Sequence, residues 1–322
     1  MLYLHCGWPR TSTTSLQAAL FEHRRELAAA GTVYPEKWIS HESPTHHGLF
    51  ELLQASQHST APLDEFKAFL ELHADRSVLF SAEAITSWLL VAERKRSLLD
   101  LLAIAREVMP TRCIWTLRRL DDGLQSLYLR RLAYAFKLQH PDRHFANIGD
   151  QSQLFATLIE VGEGATDVVH VKYDSSGSHN DELLRAFDIP AGLRAAIGEQ
   201  LAGGERLNAS LTHKQAVVLR ELDTLSRRAG VGLDWVALRD AFIDGDLDFE
   251  DDRRCVLLGT EARRNLHERT LAAARKQGFA PYVEFFAGAE IPESSPVSLD
   301  PDVISDDDLE RIVSHLHAAA PA

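Results

Sequence analysis

Four short apolar runs, each followed by a helical pattern, constrain the fold of this chain more than any other feature. The runs are MLYLHC, SVLFSAE, RCIWTLR and TDVVHVKY, which start at residues 1, 77, 112 and 166. Each has the length of a buried strand, and TVYP from residue 32 is a further extended candidate. Strands that alternate with helices are joined by crossover connections. We therefore predict an α/β fold with a mainly parallel sheet flanked by helices.

The second half of the chain carries a different pattern. From about residue 190 helical spacing dominates, as in LTHKQAVVLRELDTLSRRA and TEARRNLHERTLAAARKQG. We predict a single domain over 1–322, with an α/β core over 1–190 and a mainly helical part over 191–322.

Two local patterns give finer expectations. Leu16, Leu20 and Leu27 recur at helical spacing and predict one helix that ends at Gly31. The last 40 residues hold nine acidic residues and one basic residue, which is typical of a solvated acidic face or a frayed tail.

The composition narrows the class of protein. The net charge of −13 argues against a general nucleic-acid binder, so no nucleic-acid partner is expected. No stretch approaches the roughly 20 apolar residues of a membrane helix, and the amino terminus lacks a signal-peptide pattern, which favours a cytoplasmic protein with no transmembrane segment. The three cysteines form no C-x-x-C pair and are predicted to be buried free thiols.

The stretch HCGWPRTSTTSLQAAL, residues 5–20, joins the first strand to the first helix and suits an oxyanion. Loop amides, the helix amino terminus and the charge of Arg10 would all favour bound negative charge. Further donors are the hydroxyls of Thr11, Ser12, Thr13, Thr14 and Ser15. An ordinary capped helix start is the alternative for this stretch alone. The lysine and second glycine of an ATP-binding loop are missing, and so is G-x-G-x-x-G, which disfavours a kinase, an ATPase or a dinucleotide site.

A second candidate phosphate contact follows the strand RCIWTLR. In TLRRLDDGLQSLY an arginine, Arg118, ends the strand, and Ser126 lies eight residues later on the next helix. A guanidinium and a hydroxyl at this spacing can converge on one phosphate. Residues 110–143 hold seven basic and three acidic residues, a local excess of positive charge in an acidic chain.

These motifs together resemble those of a known family. GWPRTSTTSLQ resembles the 5′-phosphosulfate loop of sulfotransferases, commonly written P-K-T-G-T-T, with Arg10 and Ser12 at the lysine and glycine positions. TLRRLDDGLQSLY resembles their 3′-phosphate motif. GGERLNASLT is similar to the loop that closes over the nucleotide, which assigns Arg206 and Asn208 to nucleotide binding. The resemblance spans roughly residues 1–215.

The resemblance implies a P-loop-type fold and a PAPS-dependent reaction. A sulfonate group would pass in line from 3′-phosphoadenosine 5′-phosphosulfate to a hydroxyl or amine of a small-molecule, glycan or lipid acceptor. Arg10 would also act in catalysis, because its charge can stabilise the leaving phosphate. No metal is expected, since fixed cations and amides can do the work that magnesium does in kinases.

The family places its general base at the end of the strand between the two motifs, which here points to Glu83 in FSAE. His46 and His47 in SPTHHGLF are the alternative bases. Two other functions stay open: a catalytically silent nucleotide-binding regulatory protein, which the departures at Arg10 and Ser12 favour, and a kinase with a degenerate loop. The acceptor and the oligomeric state are not indicated by the sequence.

Overall fold

The computed structural model describes residues 1–8, 11, 13–40, 44–82, 85–89, 91–133, 141–146, 148, 151–203, 211–229, 249 and 253–319. It divides into two compact units, each made of three chain segments. The first unit comprises 1–119, 150–207 and 268–289, and the second comprises 120–149, 208–267 and 290–322.

A five-stranded parallel sheet forms the centre of the first unit. Its strands are β1 (Leu2–Gly7), β2 (Thr32–Val33), β3 (Ser77–Ser81), β4 (Thr111–Leu117) and β5 (Asp167–Lys172). Their order across the sheet is β2-β3-β1-β4-β5, and every pair is parallel. The α/β prediction is confirmed, and each of the predicted extended segments contributes a strand.

Helices connect the strands and make up most of the described chain after β5. They are α1 (Thr13–Glu22), α2 (Arg24–Ala29), α3 (Gly48–Ala55), α4 (Ala61–Leu72), α5 (Ile85–Trp88), α6 (Ala92–Val108), α7 (Leu120–Ala133), α8 (Pro141–Ala146), α9 (Ser152–Glu163), α10 (His179–Ala186), α11 (Ala191–Gly203), α12 (His213–Ala229), α13 (Thr260–Gln277), α14 (Ala280–Phe286) and α15 (Asp306–Ala319). The predicted mainly helical carboxy-terminal part agrees with this order.

The three central strands, β3, β1 and β4, are buried on both faces of the sheet, which explains why they are apolar runs rather than alternating ones. On one face, residues of β1, β3 and β4 pack against α1, α10 and α11 in a cluster that includes Tyr3, Leu16, Leu79, Ile114, Phe187 and Ile197. On the other face aromatic rings meet: the Trp8 ring lies 5.7 Å from Tyr282, and Phe155 stacks on Phe279 at 5.3 Å.

Buried polar contacts hold the second unit together. The guanidinium of Arg263 on α13 pairs with Asp121 at 2.9 Å and also with Asp122, both in the first turn of α7. The side-chain oxygen of Gln125 accepts hydrogen bonds from the amides of Leu257 and Leu258 at 2.9 and 3.1 Å. One arginine and one glutamine therefore tie α7 to chain more than 130 residues away.

The acidic tail is more ordered than its composition predicted. Ser305 and Asp308 form a reciprocal cap at the start of α15, in which the Asp308 carboxylate accepts from the Ser305 amide at 3.0 Å. The same carboxylate is buried and pairs with the Lys214 ammonium at 2.9 Å. The expectation of a purely solvated acidic face was wrong at this residue, because a lysine on α12 neutralises it.

The first helical region is two helices rather than the single helix predicted up to Gly31. The break falls at His23, between α1 and α2. The guanidinium of Arg24 donates to the Phe21 carbonyl at 2.9 Å and to Glu36 at 2.7 Å. A carbonyl occupied by a side chain is a weaker acceptor for the helix ladder, which accounts for the break here.

The segment between β2 and α3 depends on a close backbone contact. Trp38 has a φ of 65°, and its ring packs against Phe66, Phe69 and Phe80. The amide of Gly48 donates to the Trp38 carbonyl at 2.9 Å. A Cβ atom on Gly48 would lie 2.8 Å from the Trp38 backbone, so only glycine fits at the start of α3.

We expect Gly48→Ala to lower the free energy of unfolding by about 1–3 kcal/mol, because the added methyl must displace backbone rather than a flexible side chain. Gly198→Ala is the matched control, because this glycine lies exposed in α11 with open space around it. Alanine there should raise the free energy of unfolding by about 0.5–1 kcal/mol. Urea unfolding of both variants measures the difference, and equal effects would contradict the contact.

Candidate functional site

Because the sheet is parallel, the carboxyl ends of its strands lie along one edge, where ligands bind in open α/β sheets. The residues that follow β1, β3, β4 and β5 are Trp8, Ala82, Arg118 and Tyr173. All four belong to the first unit. Trp8 of the first predicted phosphate motif and Arg118 of the second therefore lie at the same edge of the sheet, where the strands have their carboxyl ends.

The described residues around the end of β1, Gly7, Trp8 and Thr11, form hydrogen bonds with their neighbours. The Trp8 amide donates to the Thr116 carbonyl at 3.1 Å, which extends the pairing with β4. The Thr11 hydroxyl donates to the Trp8 carbonyl at 2.9 Å, and the Thr86 hydroxyl of α5 donates to the Gly7 carbonyl at 2.6 Å. The predicted loop residues Arg10 and Ser12 lie outside the described residues.

The first turn of α1 presents a buried hydroxyl that needs an acceptor. Thr13 is 1% exposed, and its hydroxyl has no hydrogen-bond partner among the described residues. The helix amides around it also lack intrahelical partners, as at every helix start. Leaving a buried hydroxyl unpaired costs about 1–3 kcal/mol. An anion at this helix start would accept that hydrogen bond. The next two predicted ligands, Thr14 and Ser15, are half-buried in the same turn.

A continuous set of contacts joins the two predicted motifs. The Arg118 guanidinium lies 4.6 Å from the centre of the Tyr173 ring, a cation–π distance. The Tyr173 ring lies 4.9 Å from the His179 ring. The Nε2 atom of His179 donates to the Thr11 carbonyl at 3.1 Å. Burial lowers the pKa of His179, and its bond to Thr11 opposes that shift.

A polar network is buried under this edge, between the sheet and α1. The His5 imidazole on β1 bonds the Ser81 hydroxyl on β3 at 2.8 Å and the Thr116 hydroxyl on β4 at 2.9 Å. The Gln17 amide on α1 donates to the Ser81 hydroxyl at 2.9 Å. Burial lowers the pKa of His5 to about 3, so its ring is neutral and has one donating and one accepting nitrogen. We call His5, Gln17, Ser81 and Thr116 the polar network.

His46 anchors the segment before α3 to the end of β3. Its Nδ1 atom accepts from the Ser81 amide at 3.0 Å, and its Nε2 atom donates to the Pro35 carbonyl at 2.9 Å. Burial lowers the pKa of His46 to about 4. Both ring nitrogens are thus occupied by backbone groups, which leaves His46 no atom to take a proton from a substrate.

The other predicted site residues have these positions. His47 is half-buried immediately before α3, with its ring 5.5 Å from Phe50. Ser126 is half-buried on α7 of the second unit. Glu83, Arg206 and Asn208 lie outside the described residues. The roles assigned to all five stay predictions.

Sequence reasoning assigned no role to Gln17, Thr116, Tyr173 or His179. One pattern in the sequence points to the polar network: His5 and Thr116 are polar residues inside apolar strands, where a buried side chain needs a partner. Tyr173 and His179 carry no comparable pattern, because their contacts depend on how β5 and α10 pack against the loop.

Three further observations bear on the class of site. Within the described ranges, no group of three or more His, Cys, Asp or Glu side chains could hold a metal ion. None of the helices described is both long and apolar enough to cross a membrane. Cys6, Cys113 and Cys255 are buried, as predicted, and none of them forms a disulfide within the described part of the chain.

Comparison of the chain with models of protein families, with curated proteins and with solved structures finds no match. The likeness to sulfotransferases therefore depends on the motifs themselves and on where their residues lie in the fold.

The buried histidines predict a pH dependence of stability. The pKa of His46 is lower in the folded state than its ordinary value of 6.5, so below pH 6.5 the unfolded chain binds the proton and the folded chain does not. Because of this residue, the free energy of unfolding should fall by about 2 kcal/mol when the pH is lowered from 7.5 to 5.

Urea unfolding of His46→Gln at the two pH values tests this expectation. The variant should lose about 2 kcal/mol less than the wild type over the interval, whatever its stability at pH 7.5. His58→Gln, at an exposed position after α3, controls for loss of an imidazole. An identical pH dependence in the wild type and His46→Gln would contradict the assignment.

Proposed function

We propose that this protein is a PAPS-dependent sulfotransferase that moves a sulfonate group to a hydroxyl or amine of an acceptor. The observation that carries the proposal is the set of contacts from Arg118 through Tyr173 and His179 to Thr11. It supports a shared site for the 5′-phosphosulfate and 3′-phosphate motifs at one edge of the sheet.

The chemistry of the described residues fits a ligand with two separate anionic groups. The buried Thr13 hydroxyl and the start of α1 suit the 5′ end of the nucleotide, with Arg10 and the neighbouring hydroxyls as further proposed donors. Arg118 offers a permanent positive charge at the end of β4 for the 3′-phosphate. Ser126, Arg206 and Asn208 stay predicted nucleotide contacts from the sequence motifs.

When bound, the donor supplies a sulfonate attached to an oxygen of its 5′-phosphate. Transfer forms a bond between the acceptor oxygen or nitrogen and sulfur, and breaks the bond from sulfur to the phosphate oxygen. The loop donors and Arg10 would stabilise the negative charge left on that phosphate. Glu83, which follows the last residue of β3 by two positions in the sequence, would take the acceptor proton, a role that suits a carboxylate. His47 is the alternative base.

The acceptor class stays open between a small molecule, a glycan and a lipid. We place the protein in the cytoplasm as part of the same proposal, which its three buried cysteines support, because the described residues contain no disulfide. A catalytically silent nucleotide-binding protein is the competing function, and the residues Arg10 and Ser12 favour it.

Nucleotide binding is tested with the desulfated product, 3′-phosphoadenosine 5′-phosphate. At a concentration of 100 times its Kd it should stabilise the wild type by about 2.7 kcal/mol, measured as a rise in Tm. Arg118→Ala should lose most of this stabilisation, because a charge-assisted phosphate contact is removed. Arg25→Ala, an exposed arginine on α2, should keep it. No rise in Tm for the wild type would contradict nucleotide binding.

The base assignment is tested by turnover with the full donor and a panel of hydroxyl and amine acceptors. Glu83→Gln should keep nucleotide binding and lower kcat by about 10²- to 10⁴-fold, since the acceptor proton has no base. His47→Gln should leave kcat unchanged. The reverse pattern would move the base to His47, and binding without transfer to any acceptor would favour the silent regulatory protein.

A further inference from the structure

Ser81, the last residue of β3, has every polar group engaged outside the sheet ladder. Its amide donates to His46 Nδ1 and its carbonyl accepts from the His46 amide, each at 3.0 Å. Its hydroxyl bonds Gln17 on one side and His5 on the other, at 2.9 and 2.8 Å. The Ser81 carbonyl also accepts a longer bond of 3.5 Å from the Gln17 amide, so five hydrogen bonds fix one fully buried residue.

These bonds connect the elements that carry the proposed site. Gln17 lies one helical turn after Thr13 on α1, so both side chains face the sheet. His5 continues the network to Thr116, two residues before Arg118. His46 precedes His47, and Ser81 itself precedes Glu83 by two residues.

None of the four polar-network side chains is exposed to solvent: the exposed fraction of His5, Gln17, Ser81 and Thr116 is 0%. Hydrogen bonds engage the side chains of His5, Ser81 and Thr116 and the amide nitrogen of Gln17, while the Gln17 side-chain oxygen has no partner among the described residues. Buried hydrogen bonds of this kind fix the arrangement of the elements that they join. The network lies behind the loop, which makes it suited to setting positions rather than to contacting a substrate.

We propose that Gln17 and Ser81 are positioning residues for sulfonate transfer: their hydrogen bond sets the end of β3 relative to the helix that follows the anion loop. The inference rests on the proposed function. In this proposal, the Gln17–Ser81 pair determines the distance between two sides of the site. The donor side is on α1, and the acceptor side is at the end of β3.

A misplacement of about 1 Å costs up to 10²-fold in rate even when no ligand contact is lost. Gln17→Met keeps the length of the side chain and its burial but removes the hydrogen bond to Ser81. We expect its kcat to fall at least 10-fold, with the Kd for 3′-phosphoadenosine 5′-phosphate within twofold of the wild type. Ser81→Ala should give the same split, and Ser81→Thr, which keeps the hydroxyl, should recover most of the rate.

The double variant Gln17→Met/Ser81→Ala tests whether the two residues act as one unit. Its kcat should match that of Ser81→Ala, because that substitution already removes the hydroxyl that the Gln17 amide contacts at 2.9 Å. Ser97→Ala is the matched control: Ser97 is a buried serine on α6 whose hydroxyl bonds the Glu93 carbonyl of its own helix at 3.2 Å, and its loss should leave kcat unchanged.

Three outcomes would each overturn the positioning role. They are a fold-reduction in kcat of the double variant equal to the product of the two single reductions, an unchanged kcat in Gln17→Met, and a loss of nucleotide affinity that parallels the loss of kcat. Circular dichroism and Tm identify any variant that fails to fold, and Gln17→Met then stands in for Ser81→Ala. If the wild type neither binds nucleotide nor transfers sulfonate, the proposed function fails first. An active wild type with insensitive variants refutes the positioning inference alone.

Discussion

The main-chain hydrogen bonds that join β1 to β3 on one side and to β4 on the other set where these three central strands end relative to one another. His5 lies opposite Ser81, and Gly7 lies opposite Thr116. A shift of one residue in either pairing would turn each inward side chain to the other face of the sheet. The polar network fits only the observed register, because His5 must reach hydroxyls on both neighbouring strands. Register and network therefore support each other.

Burial also determines the charge of the two histidines that hold the ends of these strands, His5 and His46. Desolvation keeps His5 and His46 neutral, so both rings act as fixed hydrogen-bond donors and acceptors rather than as cations. Positive charge at the edge comes instead from Arg118, whose guanidinium is held over the Tyr173 ring. An arginine remains charged at any pH the fold survives, which suits recognition of a phosphate dianion. Histidines supply position and arginine supplies charge.

The strands were predictable because each is a compact apolar run that can be recognised without its partners. Thr13 and Arg118 could be placed at the sheet edge for the same reason, since each follows a predictable strand. The break at His23 and the burial of Asp308 were not predictable, because they depend on where the Arg24 guanidinium and the Lys214 ammonium bind. The link through Tyr173 and His179 also escaped prediction, since the hydrogen bond from His179 to Thr11 spans 168 residues. Local patterns thus indicated the elements, and the contacts between distant segments determined the details.

The shortness of β2 has a consequence for how the sheet ends. It pairs with β3 only at Ser77 and Val78, and the outer backbone groups of Ser81 are taken by His46 instead of by a strand. An imidazole offers one acceptor and no continuing ladder, so it satisfies this edge without extending it. Exposed strand edges invite pairing with other chains, and natural proteins cover them in several ways. Because His46 occupies the outward backbone groups of Ser81, a strand from another chain cannot form hydrogen bonds with β3 at this residue.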